Sequence, residues 1–218
     1  MTGGALDSTP RRTRRSVARS AALGAAGLVL AACGLTSGPP PVTYVLGTPA
    51  PAADGVESLT GKPVIEVKPV LVPDYLDVAD IMIRQADNVV APSPTGRWGE
   101  RLSVGVTRAL TLGLARRLPQ YMVTATAPAE RPARQILAEI ETFEPRAEGT
   151  VVLVARWRVM DGAGQETLAG ERVSLSERIA GQGDAAIVAA MSRAVEAFAD
   201  RVAAGLRRTA PARRGGGR

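Results

Sequence analysis

The sequence of 218 residues contains no histidine, one cysteine, two lysines and seven aromatic residues. Without histidine, neither a histidine-based catalytic triad nor a histidine-bearing zinc site can form. The single cysteine, Cys33, excludes a disulfide framework and a cysteine cluster. Neither Lys62 nor Lys68 follows a serine at the Ser-x-x-Lys spacing of a serine nucleophile and its lysine base. These absences argue against hydrolase chemistry and favour a protein that acts by binding.

The basic excess of the chain, a formal net charge of +6, lies at its two ends. Five arginines precede residue 20 and five follow Leu206, whereas residues 33–206 contain 17 basic and 20 acidic residues. A body with net negative charge does not attract a phosphate backbone, and the sequence shows no basic stripe or aromatic platform. We therefore predict no nucleic-acid binding.

The first 33 residues have the pattern of an export signal. A basic stretch precedes the apolar run 21–30, and small residues then lead to Cys33. The run is shorter than the roughly 20 apolar residues of a permanent membrane helix. Leu30-Ala31-Ala32-Cys33 matches the bacterial lipoprotein box, before whose cysteine signal peptidase II cleaves. We predict that residues 1–32 are removed and that Cys33 carries a diacylglycerol and an N-acyl chain, typically palmitate. The alternative is an ordinary secreted protein with a free thiol.

The residues after Cys33 bear on where the protein is anchored. Gly34 stands where an aspartate would retain an enteric lipoprotein at the inner membrane, so we expect the periplasmic face of the outer membrane; the inner membrane stays an alternative. The Arg14-Arg15 pair leaves twin-arginine export open beside the general secretory route that we expect. Residues 33–42 form the lipidated start and a proline-rich tether, long enough to hold the body about 25 Å from the lipid.

Hydrophobic periodicity predicts an α+β domain over residues 43–206, followed by a disordered basic tail, 207–218. A break at Pro92–Gly96 precedes a helix that includes Trp98 and ends before Pro119, and Asp184 is predicted to cap a last helix that reaches Leu206. We expect a mixed, mostly antiparallel sheet, whose last three strands form an antiparallel meander, with two amphipathic helices packed on one face. The predicted strands cover 43–46, 64–70 (with Glu66 and Lys68 on a solvated side), 81–85, 88–91, 121–126, 134–143, the region from Leu153 to Met160, and 165–177.

Three segments carry a family resemblance: Glu66-Val67-Lys68-Pro69-Val70 through Pro73-Asp74-Tyr75-Leu76-Asp77, then Ile81 to Arg84, then Arg97-Trp98-Gly99-Glu100-Arg101-Leu102. They resemble the ABC-type transport auxiliary lipoprotein family, typified by paraquat-inducible protein C lipoproteins. A strand closing on Phe143 and the final amphipathic helix agree. The sequence departs where the family often continues with Arg-Pro-Gln and this chain has Val78-Ala79-Asp80.

The resemblance implies an outer-membrane-tethered, periplasm-facing accessory of an ABC transport complex that contains a mammalian-cell-entry (MCE) protein and moves lipids between the two membranes. We therefore expect an MCE protein and an ABC transporter as partners, the membrane as an anchor, and no catalysis. A periplasmic hydrolase and a lipoprotein that activates cell-wall synthesis or outer-membrane assembly are the alternatives.

The predicted partner-binding residues are Pro73, Tyr75, Leu76 and Asp77. Tyr75 and Leu76 stand on a proline-bounded turn without a periodicity that would bury them. Self-association is a competing use of this turn. Trp98 is either a core residue or a further partner contact.

Other candidate chemistry has a simpler interpretation. We interpret Glu139 and Glu141 as the solvated face of a strand rather than an acid/base pair. Asp161-Gly162-Ala163-Gly164 is interpreted as a hairpin turn rather than a calcium loop, since it lacks further acidic ligands. We predict no metal and no cofactor apart from the lipid on Cys33.

Overall fold

The computed structural model describes residues 40–47, 58 and 60–209. In this part of the chain eight strands and two helices form. They are β1 (Val42–Tyr44), β2 (Val64–Val67), β3 (Asp80–Ala86), β4 (Val89–Trp98), α1 (Leu102–Arg117), β5 (Met122–Thr124), β6 (Arg134–Arg146), β7 (Thr150–Asp161), β8 (Thr167–Arg178) and α2 (Gly183–Arg208).

The eight strands make one mixed sheet in the order β1-β4-β3-β6-β2-β5, and β7 and β8 continue from the other side of β6. The long pairings, β3–β4, β6–β7 and β7–β8, are antiparallel. The short pairings, β1–β4, β2–β5, β2–β6 and β3–β6, are parallel. Most paired residues are therefore antiparallel, and the predicted α+β class is confirmed.

Strands β6, β7 and β8 form the predicted meander. Ile136, Ala138 and Ile140 are buried on the helix side of β6, and Trp157 is buried on β7. Gly164, with φ of +70°, occupies the turn between β7 and β8 because only glycine adopts this conformation without strain. The alternating pattern sets this register, since a slip by one residue would expose the buried set.

The two helices pack on one face of the sheet, as expected, and supply much of the core. Helix α1 buries a residue every four positions, and α2 buries a stripe at steps of three and four. Gly205 lets α2 approach the sheet, since a Cβ there would overlap the Trp157 ring. The buried positions include Leu102, Val106, Leu110 and Leu114 on α1, and Val188, Met191, Val195, Phe198, Val202 and Leu206 on α2.

The predicted break at Pro92–Gly96 is wrong, because these residues continue strand β4 as far as Trp98. The prolines are tolerated because β1 pairs only with Gly96 to Trp98, so that at Pro92 the described part of β4 has β3 alone as a neighbour, and because Pro94 lies where the β3–β4 register shifts. Helix α1 consequently begins at Leu102, and Trp98 ends a strand instead of lying in a helix.

The prediction that Asp184 caps α2 is wrong. The cap position is Gln182, without a side-chain hydrogen bond, and Asp184 lies inside the first turn with its side chain buried. Its carboxylate accepts hydrogen bonds from Ser93 Oγ at 2.7 Å and Thr95 Oγ1 at 2.6 Å. The aspartate thus joins the start of α2 to β4, a contact between residues about 90 positions apart.

Strand β2 was predicted to have one solvated side, but it lies between β5 and β6. It also ends at Val67 rather than Val70. Glu66 is buried instead of exposed and forms an ion pair of 2.7 Å with Lys68. At the other end of the domain, Arg207 and Arg208 belong to α2, so the prediction of disorder from residue 207 is wrong for these two residues. Residues 210–218 lie outside the described part.

Candidate functional site

The predicted partner-binding turn belongs to a longer segment, residues 69–77, that leads from β2 towards β3 and contacts β6 at Leu71. Leu71 N donates to Ala138 O at 3.1 Å, and Ile140 N donates to Leu71 O at 2.8 Å. The turn itself is closed by Leu76 N and Asp77 N, which both donate to Pro73 O, at 2.9 and 3.1 Å. The predicted turn is confirmed, and backbone hydrogen bonds at Leu71 join the 69–77 segment to β6.

Tyr75 and Leu76 point to different environments. Leu76 is only 2% exposed and belongs to the hydrophobic core, so its prediction as a partner-binding residue is wrong. The reason is the tight turn, which sends adjacent side chains to opposite sides of the backbone. Tyr75 is 38% exposed and stays at the surface.

The Tyr75 side chain is oriented by an ion pair between the buried Glu144 and Arg84. Its hydroxyl donates to Glu144 Oε2 at 3.1 Å, and Arg84 donates to both oxygens of the same carboxylate, with the Nη2 bond at 3.0 Å. Glu144 is 1% exposed, and pairing with Arg84 is what makes a buried carboxylate tolerable. Burial, and next the charge of Glu144, raise the pKa of Tyr75, so the hydroxyl stays protonated and continues to donate.

Asp77 has a structural function in addition to its place on the turn. Ser103 donates to its carboxylate through N at 2.8 Å and Oγ at 3.0 Å, and Arg101 pairs with it at 2.7 Å. Helix α1 has no side-chain cap from its own cap residue, Arg101, so Asp77 supplies this cap from the 69–77 segment. Burial raises the pKa of Asp77, but the bonds from Ser103 and the Arg101 charge outweigh it, and the pKa lies below its ordinary value.

Trp98 is a core residue. It is 7% exposed, and its backbone N donates to Ala79 O at 2.8 Å, next to the 69–77 segment. Of its two sequence-based interpretations, burial supports the core one. Trp98 therefore fixes the chain that follows the turn and does not present a surface for a partner.

An apolar groove lies between the 69–77 segment and α1. The cavity has a volume of about 570 Å³, and Val70, Leu71 and Val72 form one wall while Val104 and Leu112 lie on the helix side. Leu71 and Val104 are large hydrophobic side chains that stay 65% and 51% exposed. Exposed apolar side chains beside a concave surface are typical of sites that receive apolar groups of a partner.

The two acidic residues of β6 considered for acid/base chemistry, Glu139 and Glu141, differ in exposure and pairing. No group of three potential metal ligands occurs in the part of the chain that the structure describes. Glu139 is exposed, as interpreted. Hydrogen bonds from Arg172 and Arg156 lower the pKa of Glu141 to about 2, so this carboxylate stays ionised and is unsuited to donate a proton at neutral pH.

The Arg84–Glu144 ion pair that contacts Tyr75 was not predicted from the sequence. Arg84 and Glu144 are 60 positions apart, and neither has a distinctive local pattern. The groove beside α1 was also missed, since Val104 and Leu112 look like ordinary positions of an amphipathic helix. An exposed valine within the helix pattern was the only available indication.

The lipidation residues Leu30, Ala31, Ala32 and Cys33 lie outside the described residues, so their role stays a prediction. Neither helix in residues 60–209 combines the length and apolar character needed to cross a membrane.

Comparisons with known proteins agree with this architecture. The model of a family described as the ABC-type transport auxiliary lipoprotein component matches residues 44–203. Among solved structures, an uncharacterised protein aligns with a TM-score of 0.65 and 17% identity over 77% of this chain and 99% of its own. A Xanthomonas campestris protein aligns with a TM-score of 0.55 and 13% identity over 77% of this chain and 91% of its own. At such identities these two structures show a shared fold. No curated protein matches.

The family match covers strands β2 to β8, all of α1 and most of α2, and it includes the 69–77 segment; it begins at the last residue of β1 and ends at residue 203. It agrees with the resemblance noted at the turn and at Arg97-Trp98. The chain belongs to the ABC-type transport auxiliary lipoprotein component family.

Proposed function

We propose that this protein is a lipid-anchored accessory of an ABC/MCE-type system that moves lipids between membranes, and that it acts by binding and assembly. The observation that carries the proposal is membership of the auxiliary lipoprotein family over residues 44–203. Lipidation at Cys33 would attach the protein to the periplasmic face of the outer membrane, with residues 34–41 as the tether, since Val42 already belongs to β1.

The 69–77 segment is the part of the body best suited to dock a transporter partner. It is rigid, because backbone hydrogen bonds to β6 and the cap from Asp77 fix it at both ends. It also presents Tyr75 and Leu71 to solvent, and Leu71 lines the groove of α1. A preorganised segment with an aromatic anchor loses little conformational entropy on binding, which favours affinity.

A binding role also agrees with the chemistry of the body. The sequence has no histidine, and Glu141 is ionised by its arginine partners. Buried carboxylates such as Glu144 and Asp184 are saturated with donors that hold the fold together. These paired groups stabilise the structure, which supports a role in binding rather than catalysis.

Affinity purification of the full-length protein from cross-linked membranes tests the proposal. We expect an MCE protein and an ABC transporter to be recovered, and Tyr75→Ala to reduce the recovery. Val89→Ala is the matched control, since Val89 is a comparably exposed hydrophobic residue on β4. Recovery of a cell-wall synthase or of outer-membrane assembly proteins in place of the transporter would overturn the proposal and support the alternative function.

Self-association through the 69–77 segment is the competing use of the same residues. Light scattering on the purified full-length protein measures it directly. If Tyr75→Ala dissociates an oligomer while transporter recovery is unchanged, the segment joins copies of this chain and the partner docks elsewhere.

A further inference from the structure

A second cavity, of about 740 Å³, borders the 69–77 segment and lies over strands β6, β7 and β8. Side chains alternate along β7, so Arg156 and Arg158 lie on the opposite face of the sheet from the buried Trp157. The volume lies in the range of small-molecule sites. Pro69 and Leu71 line both this cavity and the groove described above, but no residue of α1 lines the cavity.

The cavity combines cations with an apolar strip. Its lining includes Lys68, Arg156, Arg158 and Arg172 together with the aliphatic side chains of Leu71 and Leu137. Most of these cations are already paired: Lys68 with Glu66, and Arg156 and Arg172 with Glu141. Arg158 is exposed and makes no hydrogen bond or ion pair with the described residues.

The strand register explains why there is room beside Arg158. Leu137 on β6 and Gly170 on β8 are its direct neighbours across the sheet. Gly170 has no side chain to cover this position, and a Cβ there would already lie 3.2 Å from Arg158 Cγ. Arg158 therefore stands between an aliphatic side chain on one strand and a gap on the other.

Two acids also line the cavity, and they restrict the charge of a ligand. Glu171 is paired with Arg208. Glu139 makes no hydrogen bond or ion pair with the described residues, although its charge acts on Arg156. Arg158 and Glu139 are thus one cation and one anion that can contact a ligand beside the apolar side chains of Leu71 and Leu137.

We propose that this cavity binds a glycerophospholipid with a zwitterionic headgroup such as phosphatidylethanolamine. The phosphate accepts hydrogen bonds from Arg158, the ammonium group lies toward Glu139, and an acyl chain covers Leu71 and Leu137. Arginine suits this role because its planar group donates two bonds to one phosphate. Covering the exposed Leu71 removes apolar surface from water.

The inference rests on the proposed role in lipid transport and gives the accessory protein its own contact with the transported class of molecule. The test uses the full-length protein in its membrane, with a photo-crosslinking amino acid in place of Leu137. The matched control carries it in place of Ser174, an exposed residue of β8 that does not line the cavity. Adducts are identified by mass spectrometry.

We expect adducts of phosphatidylethanolamine at position 137 and few at position 174. Arg158→Glu should reduce the adducts about tenfold, as expected for the loss of one charge-assisted contact, and Arg158→Lys should restore part of them. Arg201→Glu, at an exposed arginine of α2 that has no ion-pair partner among the described residues, should leave them unchanged. Because Arg158 is exposed, the variants should keep the wild-type resistance to proteolysis, which is measured in the same membranes.

Several outcomes would overturn the inference. Absence of lipid adducts at 137, or adducts that do not depend on Arg158, would refute the phosphate contact, and a predominance of anionic phospholipid would refute the zwitterionic headgroup. Protein adducts at 137 would make the cavity a protein-docking surface. The adduct measurement does not depend on recovery of the transporter. If the adducts are lost while the transporter still copurifies, only the lipid site in the cavity is refuted. If the adducts form but no transporter copurifies, only the proposed role in transport is refuted.

Discussion

Tyr75 and Leu76 are adjacent in the sequence, but the structure gives them opposite functions, so single substitutions should separate folding from partner binding. Leu76→Ala removes most of a buried core side chain, which costs about 2 to 5 kcal/mol. For a domain of this size each kcal/mol lowers Tm by about 2 to 4 °C, so a loss of about 3 kcal/mol lowers Tm by roughly 6 to 12 °C.

Tyr75→Ala should cost much less stability. It removes one hydrogen bond to Glu144, but Arg84 still neutralises that carboxylate, and the tyrosine ring is partly exposed. We expect a loss of about 1 kcal/mol. If Tyr75 anchors the transporter partner, its truncation removes about 2 kcal/mol or more of binding free energy, roughly a thirtyfold loss of affinity.

Circular dichroism melting and a quantitative pull-down on the full-length variants measure the two quantities. Tyr75→Phe is the matched control, since it keeps the ring and removes only the hydroxyl bonded to Glu144. It should bind the partner nearly as well as the wild type. The reasoning would be refuted if Leu76→Ala melted at the wild-type temperature, or if Tyr75→Ala lowered Tm as much as Leu76→Ala while the partner still bound normally.

Further predictions follow from single contacts. Gly205→Val should destabilise the protein by about 1 to 3 kcal/mol in urea unfolding, since its side chain would overlap the Trp157 ring; an unchanged midpoint would show that α2 shifts freely. Asp77→Ala should lose about 1 kcal/mol at pH 7 through the missing cap on Ser103. Because the folded pKa of Asp77 is lowered from 3.8, its contribution is complete above that pH and is lost as the pH falls through the folded value, so wild type and variant should converge in acid unfolding; a constant difference down to pH 2 would contradict this. Cys33→Ala should move the protein from the membrane to the soluble fraction, and intact mass should show that residues 1–32 are retained; equal membrane retention would exclude a lipid anchor on Cys33.

Local pattern was sufficient for the parts of this protein in which neighbouring residues decide the structure. The four-residue spacing from Leu102 to Leu114 and the stripe of α2 predicted both helices, because a helix buries one face whatever it packs against. Strict alternation around a glycine turn predicted the β6–β7–β8 meander. The absence of histidine excluded whole classes of catalysis without any structural knowledge.

Prediction from the sequence failed where the burial of a residue depends on segments that are distant along the chain. Glu66, Glu144 and Asp184 are charged residues in positions that look solvated locally, and each is buried because a remote strand, turn or helix covers it. Leu76 was placed at the surface for the same reason, since a turn has no period from which to deduce which side chain points inward. Whether Tyr75 or Leu76 faces solvent was decided by the packing of residues 69–77 against β6 and α1, and only the tertiary structure contains that information.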